Sequence, residues 1–298
     1  MLRSCPNFSC TFYQKNDFVR KDGTYFRKDD SRFILRFRCC SCGKRFSSAT
    51  VALEFRQKKR RINQTLFKLL SSGISIRRSA LILSVHHKTV ERKLHYLAEK
   101  ARLNHAEFLK KLRNNPVTHL QFDDLISSEH TKLKPLSVSI AVDQKRRFIL
   151  GLEVSQIPAF GHLASLSRKK YGHRKSGPKE ALEKLFSGLP SFTSPYAKIE
   201  SDEHKFYPEM VEKTFPEALY LQYKGEKGSV AGQGELKKVY YDPLFSINHT
   251  CAMLRANVNR LIRRTWCTTK KRERLKDHLD IYIQFHNEVL LKENFELI

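Results

Sequence analysis

The stretch Thr118–Ser155, THLQFDDLISSEHTKLKPLSVSIAVDQKRRFILGLEVS, decides the fold of the larger part of this chain. Thr118–Leu125 is an extended run that carries a carboxylate pair, Asp123 and Asp124. Leu136–Asp143 and Arg147–Ser155 follow as two further strands joined by the basic turn QKRR, which predicts an antiparallel meander. Side chains alternate between the two faces of a strand, so only one of Asp123 and Asp124 can share a face with acids on a neighbouring strand.

Working outward, GPKEALEKLFSGL reads as a short helix ending before Pro190. YAKIESDEHKFYPEMVEKTF gives a strand with Asp202 near its end and a helix from about Pro208, and ALYLQY gives a fifth strand. The run YDPLFSINHTCAMLRANVNRLIRRTW, 241–266, predicts a turn and then one long, basic, amphipathic helix whose start carries Asn248 and His249. A meander followed by alternating helices and strands is the order of a ribonuclease-H-like α/β domain with a mixed five-stranded sheet. In such a sheet Asp123 and Asp202 lie side by side. Acids on adjacent strand ends can hold the divalent ions that phosphodiester transfer uses, and buried acids are otherwise costly unless paired. The alternatives are a strand acid paired to Lys or Arg for Asp123 and a helix cap for Asp202.

Ahead of this domain the chain is strongly basic. The formal charge is +26, with 24 Lys and Arg against 7 Asp and Glu in residues 1–105, so the front third is the stronger candidate for contact with a polyanion. An anionic membrane would also attract that charge, but no amphipathic helix with exposed bulky apolar anchors accompanies it. No apolar run is long enough to span a bilayer, and the first residues lack the apolar core of a secretory signal, so the expectation is a cytoplasmic, nucleoid-associated protein. GEKGSVAGQGELKK lacks the Gly-Lys-Ser/Thr ending of a phosphate loop, which excludes that route to nucleoside triphosphates.

Five of the seven cysteines fall in the first 42 residues. Cys5 with Cys10 and Cys39 with Cys42 place four thiols at two turns, the pattern of a tetrahedral structural zinc in a small β-ribbon; Cys40 could replace Cys39, although the latter gives the two-residue spacing and a following Gly43. From Lys58 the apolar period becomes helical. One helix ends at Gly73, a second spans about Arg77–Leu83, a turn covers Ser84–His86, and a third runs from about His87 to Ala98. Ala80 suits a close helix crossing over Val85, Val90 and Leu94, which leaves Lys88, Thr89, Arg92 and Lys93 outward where a recognition helix meets a major groove; a plain helical hairpin with a solvated basic face is the alternative. The polar segment Asn104–Val117 reads as a boundary. The expected organisation is a zinc ribbon over 1–50, a helix-turn-helix domain over 55–105 and an α/β domain over 117–298.

Together, the zinc ribbon, the helix-turn-helix and the segments QFDD, ESDEHKFYP and NHTCAMLRANVNRLIRRTWCTTK resemble bacterial insertion-sequence transposases of the DDE superfamily over nearly the whole chain. The resemblance implies that Asp123 and Asp202 are the first two metal-binding acids, with magnesium or manganese as cofactor. Many relatives carry Glu in the final helix; that position falls here on Asn248, with His249 and Asp242 as further candidates. It also implies double-stranded DNA, element ends and target, as partner, and a homo-oligomer assembled on it. A non-catalytic DNA-binding regulator descended from such an enzyme is the second reading.

Overall fold

The computed structural model describes residues 4–15, 18–50, 52–224, 242–262 and 268–295, which form two compact units, Met1–Leu66 and Phe67–Ile298. In the first unit, β1 (Val19–Arg27), β2 (Arg32–Cys39) and β3 (Arg45–Ser47) make an antiparallel sheet in that order. Its core is small. Ile34, Phe37, Ala49, Cys5, Cys10 and Cys39 are buried apolar residues of the ribbon. The tip of the β1–β2 hairpin is fastened by the Arg27–Asp30 ion pair at 2.5 Å. Burial alone would raise the Asp29 carboxyl, but the backbone N–H groups of Lys59 and Arg60 and the Arg60 guanidinium at 2.8 Å hold it below its usual range.

Three helices follow along the chain: α1 (Asn63–Ser71), α2 (Ile76–Ile82) and α3 (His87–Leu112). Gly73 takes the left-handed conformation, φ 74°, that ends α1, and the Ser75 side chain caps α2 by accepting from Arg78 N. The His86 side chain accepts from Lys88 N and caps α3. The third helix does not stop at Ala98. It runs on as one rod to Leu112, into the expected boundary at 104–117, because Ala101, Phe108 and Leu112 continue its buried stripe beneath an otherwise polar sequence.

The second unit is organised on a five-stranded sheet of order β6-β5-β4-β7-β8. The strands β4 (Val117–Ser128), β5 (Pro135–Asp143) and β6 (Ile149–Gln156) form the antiparallel meander, and β7 (Thr193–Asp202) and β8 (Leu219–Tyr223) add in parallel to β4. The sheet is mixed, as expected. One face packs on α5 (Pro178–Gly188), α6 (Tyr207–Thr214) and the end of α3 through Phe108, Leu120, Phe122, Phe186 and Ile199. The other packs on α7 (Phe245–Asn257) and α8 (Arg272–Phe285) through Leu125, Val138, Ile140, Leu254 and Leu279. Between β6 and α5 lies a further helix, α4 (Leu163–Tyr171), with Arg168, Lys169 and Lys170 in its last turn.

The single long helix expected over 241–266 is two pieces among the described residues. The helix α7 ends at Asn257, Val258 is extended, and Asn259–Leu261 makes one 3₁₀ turn. Asn257 Nδ2 donates to Met253 O, and Asn259 Nδ2 donates to Gly73 O at 2.9 Å, a tertiary bond that competes with continued helix at a β-branched position. The segments 225–241 and 263–267, which include all of GEKGSVAGQGELKK and Trp266 and Cys267, lie outside the described residues. No helix among the described residues is long and apolar enough to cross a membrane.

Candidate functional site

The parallel pairing of β4 with β7 matches Leu120 to Ile199 and Gln121 to Glu200. Two residues further along each strand stand Asp123 and Asp202, on the same face by the alternation of a strand. Their electrostatics agree with that placement. Burial first, and then the negative charge of Asp202, pushes the Asp123 carboxyl up to about 7. Asp202 is also raised by burial, and its Oδ1 is buried with no hydrogen-bond partner. Neither sequence alternative for these acids describes what the structure contains: Asp202 caps no helix, since α6 has Phe206 at its N-cap without a side-chain bond, and no Lys or Arg salt bridge reaches Asp123 among the described residues. An unpartnered buried carboxylate oxygen beside a second raised carboxyl is a donor set that fits a hard divalent cation.

Asp124 points the other way. Its Oδ1 accepts from Ser137 Oγ at 2.8 Å and Ser139 Oγ at 2.5 Å, and its Oδ2 accepts from Tyr207 Oη at 3.0 Å. That carboxylate accepts from three hydroxyls, whereas among the described residues Asp123 receives only the Asp124 backbone N–H, at 2.6 Å.

One step below the acid pair, Gln121 organises the floor. Its Nε2 donates to Glu200 Oε2 and to Pro243 O, each at 2.7 Å, and its Oε1 accepts from Ile247 N at 3.1 Å, so one buried amide ties β4, β7 and the start of α7 together. Burial alone would raise Glu200, but bonds from Gln121, Lys198 and His119 hold it below its usual range. Sequence reasoning missed Gln121 and Glu200. The signal was present in the spacing, since Gln-x-Asp and Glu-x-Asp put each polar residue on the face of its acid.

The helix α7 crosses this face. Cys251 is pushed up to about 12 by burial and then by the charge of Asp123, and the positive charge of Arg255 in turn opposes the rise at Asp123. Asn248, three residues before Cys251 and seven before Arg255, lies on the same helical stripe at its exposed end. It lies inside the first turn of α7, whose N-cap is Leu244; Asp242 Oδ1 accepts from Leu244 N at 2.9 Å, and Asp242 Oδ2 accepts from Asn248 Nδ2 at 3.0 Å. His249 receives the Arg147 guanidinium, and burial and that cation lower its basicity.

At the start of α3, Lys88 and Arg92 are exposed and Thr89 is half-buried. Lys93 departs from the expectation. It is 3% exposed and falls in the stripe Val90, Lys93, Leu94, Leu97, because α3 is covered along this side by α2 and α8 instead of standing free. Arg102 of α3 pairs with Asp280 of α8 at 2.7 Å.

In the first unit the sulfurs of Cys5, Cys10, Cys39 and Cys42 all lie within 4.8 Å of one another. Cys5 and Cys42 are 3.6 Å apart and Cys10 and Cys39 are 3.8 Å apart. Zinc–sulfur bonds of about 2.3 Å in a tetrahedron require sulfur separations of about 3.8 Å, so the four thiols fit a metal ion such as zinc. Gly43, at φ 69°, closes the turn by donating to Cys39 O at 3.1 Å. The Lys44 N–H lowers Cys42 to about 6, whereas burial pushes Cys5 up to about 12. Cys40 is exposed and outside the cluster. The chain matches no protein-family model and no curated protein sequence.

Proposed function

We propose that the chain is a DNA transposase that binds element ends, cleaves phosphodiester bonds to expose a 3′ hydroxyl and directs that hydroxyl onto target DNA. The observation that carries this reading is the pair Asp123 and Asp202: two raised carboxyls on one sheet face, one with a buried oxygen that no donor satisfies. A magnesium or manganese ion held by these acids would supply charge stabilisation at the phosphodiester oxygens. The meander-then-alternation order of the five-stranded domain supports a ribonuclease-H-like fold, and the cysteine cluster beside the three-stranded sheet supports a zinc ribbon. Asn248 is the better third ligand. Its amide nitrogen is given to Asp242, which leaves its carbonyl oxygen as the accepting end, whereas His249 is engaged by Arg147. Lys88, Thr89 and Arg92 are the residues of α3 left to meet DNA, and the active form is a homo-oligomer on that DNA.

A second reading, a DNA-binding regulator that no longer cleaves, is favoured by one observation: the third position carries an amide and not an acid. Incubating the full chain with supercoiled DNA and magnesium separates the two. Nicking supports the transposase, and binding without nicking supports the regulator.

A further inference from the structure

We propose that one face of the N-terminal three-stranded sheet, built on Arg20, Arg38 and Arg45 with Arg36 beside them, is a binding site for the phosphate backbone of duplex DNA. It rests on the reading of the chain as a DNA-acting protein and adds residues of the first unit to those at the start of α3. Strand pairing sets Arg20 directly opposite Arg38, and Arg38 directly opposite Arg45. Three guanidinium side chains therefore stand in one row across three strands, spanning about 10 Å at the ordinary strand spacing. Arg36, two residues along β2 on the same face, lies over the Tyr25 ring at 5.0 Å.

Like charges directly opposite in a sheet are destabilising, so such a row is costly for the free ribbon. Internal acids relieve little of it: Arg45 pairs with Asp22 at 2.9 Å, while no salt bridge reaches Arg20, Arg36 or Arg38 among the described residues. Arg20, Arg36 and Arg45 are exposed. A polyanion removes the repulsion. Duplex DNA matches the spacing, since a row about 10 Å long can reach phosphates on both walls of a major groove about 12 Å wide. A membrane matches poorly. Insertion into lipid wants apolar residues beside the basic ones, and here Phe26, Phe33 and Leu35 stand on the opposite face from the arginines.

The test is a salt titration of the zinc-loaded full chain binding a short random-sequence duplex, read by fluorescence anisotropy. Replacing Arg20, Arg38 and Arg45 by Gln should lower the slope of log affinity against log salt by about 2.7, from about 0.9 per lost phosphate contact. The same three positions as Lys should keep nearly the native slope. Should the Gln triple lose its zinc, Arg20→Gln with Arg45→Gln, both exposed, carries the test with an expected loss of about 1.8. A native slope in a zinc-loaded Gln variant overturns the proposal and leaves the acid pair untouched. Failure of the native chain to bind duplex at all overturns both readings. A loss of binding in Phe33→Ser with a native slope in the Gln variants would move the site to the apolar face and overturn the arginine row.

Discussion

Gln121 and Glu200 meet side chain to side chain at 2.7 Å, one strand step below the acids Asp123 and Asp202. The same amide holds Pro243 O and Ile247 N. The pair therefore fixes the register of β4 against β7 and the seat of α7 at once, so the acids, Cys251 and Arg255 inherit their positions from a residue with no chemistry of its own.

Replacing Gln121 by Met preserves volume but leaves the Pro243 carbonyl, the Ile247 N–H and one Glu200 oxygen without this partner. Each buried group left unpaired costs about 1 to 3 kcal/mol, so Gln121→Met should lower unfolding free energy by about 3 kcal/mol or more in urea titration. A loss under about 1 kcal/mol would show that the amide is not the tie.

The Asp123 carboxyl supplies a pH signature. Its folded value is raised to about 7 from an ordinary value near 4, so between those limits the folded chain holds a proton that the unfolded chain has released. Stability contributed by this group is therefore present below about pH 4 and falls as pH rises to about 7. Without added magnesium, Asp123→Asn should flatten that decline and be more stable than the native chain at pH 8, by roughly 2 to 4 kcal/mol. A native-like decline in the Asn variant, measured by urea melts across pH, would assign it to another group.

Asp124 should behave oppositely to its neighbour. Tyr207→Phe leaves Oδ2 without its hydroxyl while both serine bonds to Oδ1 remain, so it should cost about 1 to 2 kcal/mol of stability with metal affinity unchanged. Calorimetric titration with manganese checks the second half. Loss of manganese binding in Tyr207→Phe would place Asp124 in the site.

Zinc content distinguishes the cysteines. Cys39→Ser should lose the metal and with it most of the stability of the first unit, since little apolar core remains to hold the ribbon. Cys40→Ser should keep one zinc per chain. Metal analysis giving the reverse would exchange the two residues.

The strands, the turn before α3 and the parity of Asp123 and Asp202 were legible because each rests on local periodicity and one buried face. What escaped was set by tertiary contact. Lys93 reads as outward by charge but lies in the stripe that α2 and α8 cover. The length of α3 was hidden because only Ala101, Phe108 and Leu112 mark its buried side beyond Ala98. The break after Asn257 involves a bond from Asn259 to Gly73, 186 residues away, which no local pattern reports.

The most direct measurement is the rate of magnesium-dependent nicking of supercoiled DNA by the native chain, Asp123→Asn and Asp202→Asn, each at matched DNA occupancy. Loss of an acid that holds a catalytic cation removes several kcal/mol of charge stabilisation, about 1000-fold in rate, while binding should stay within about twofold. Native nicking that both Asn variants lose, with DNA binding retained, is the predicted result. Nicking at the native rate by either variant, or no nicking by the native chain in magnesium or manganese, would contradict the account.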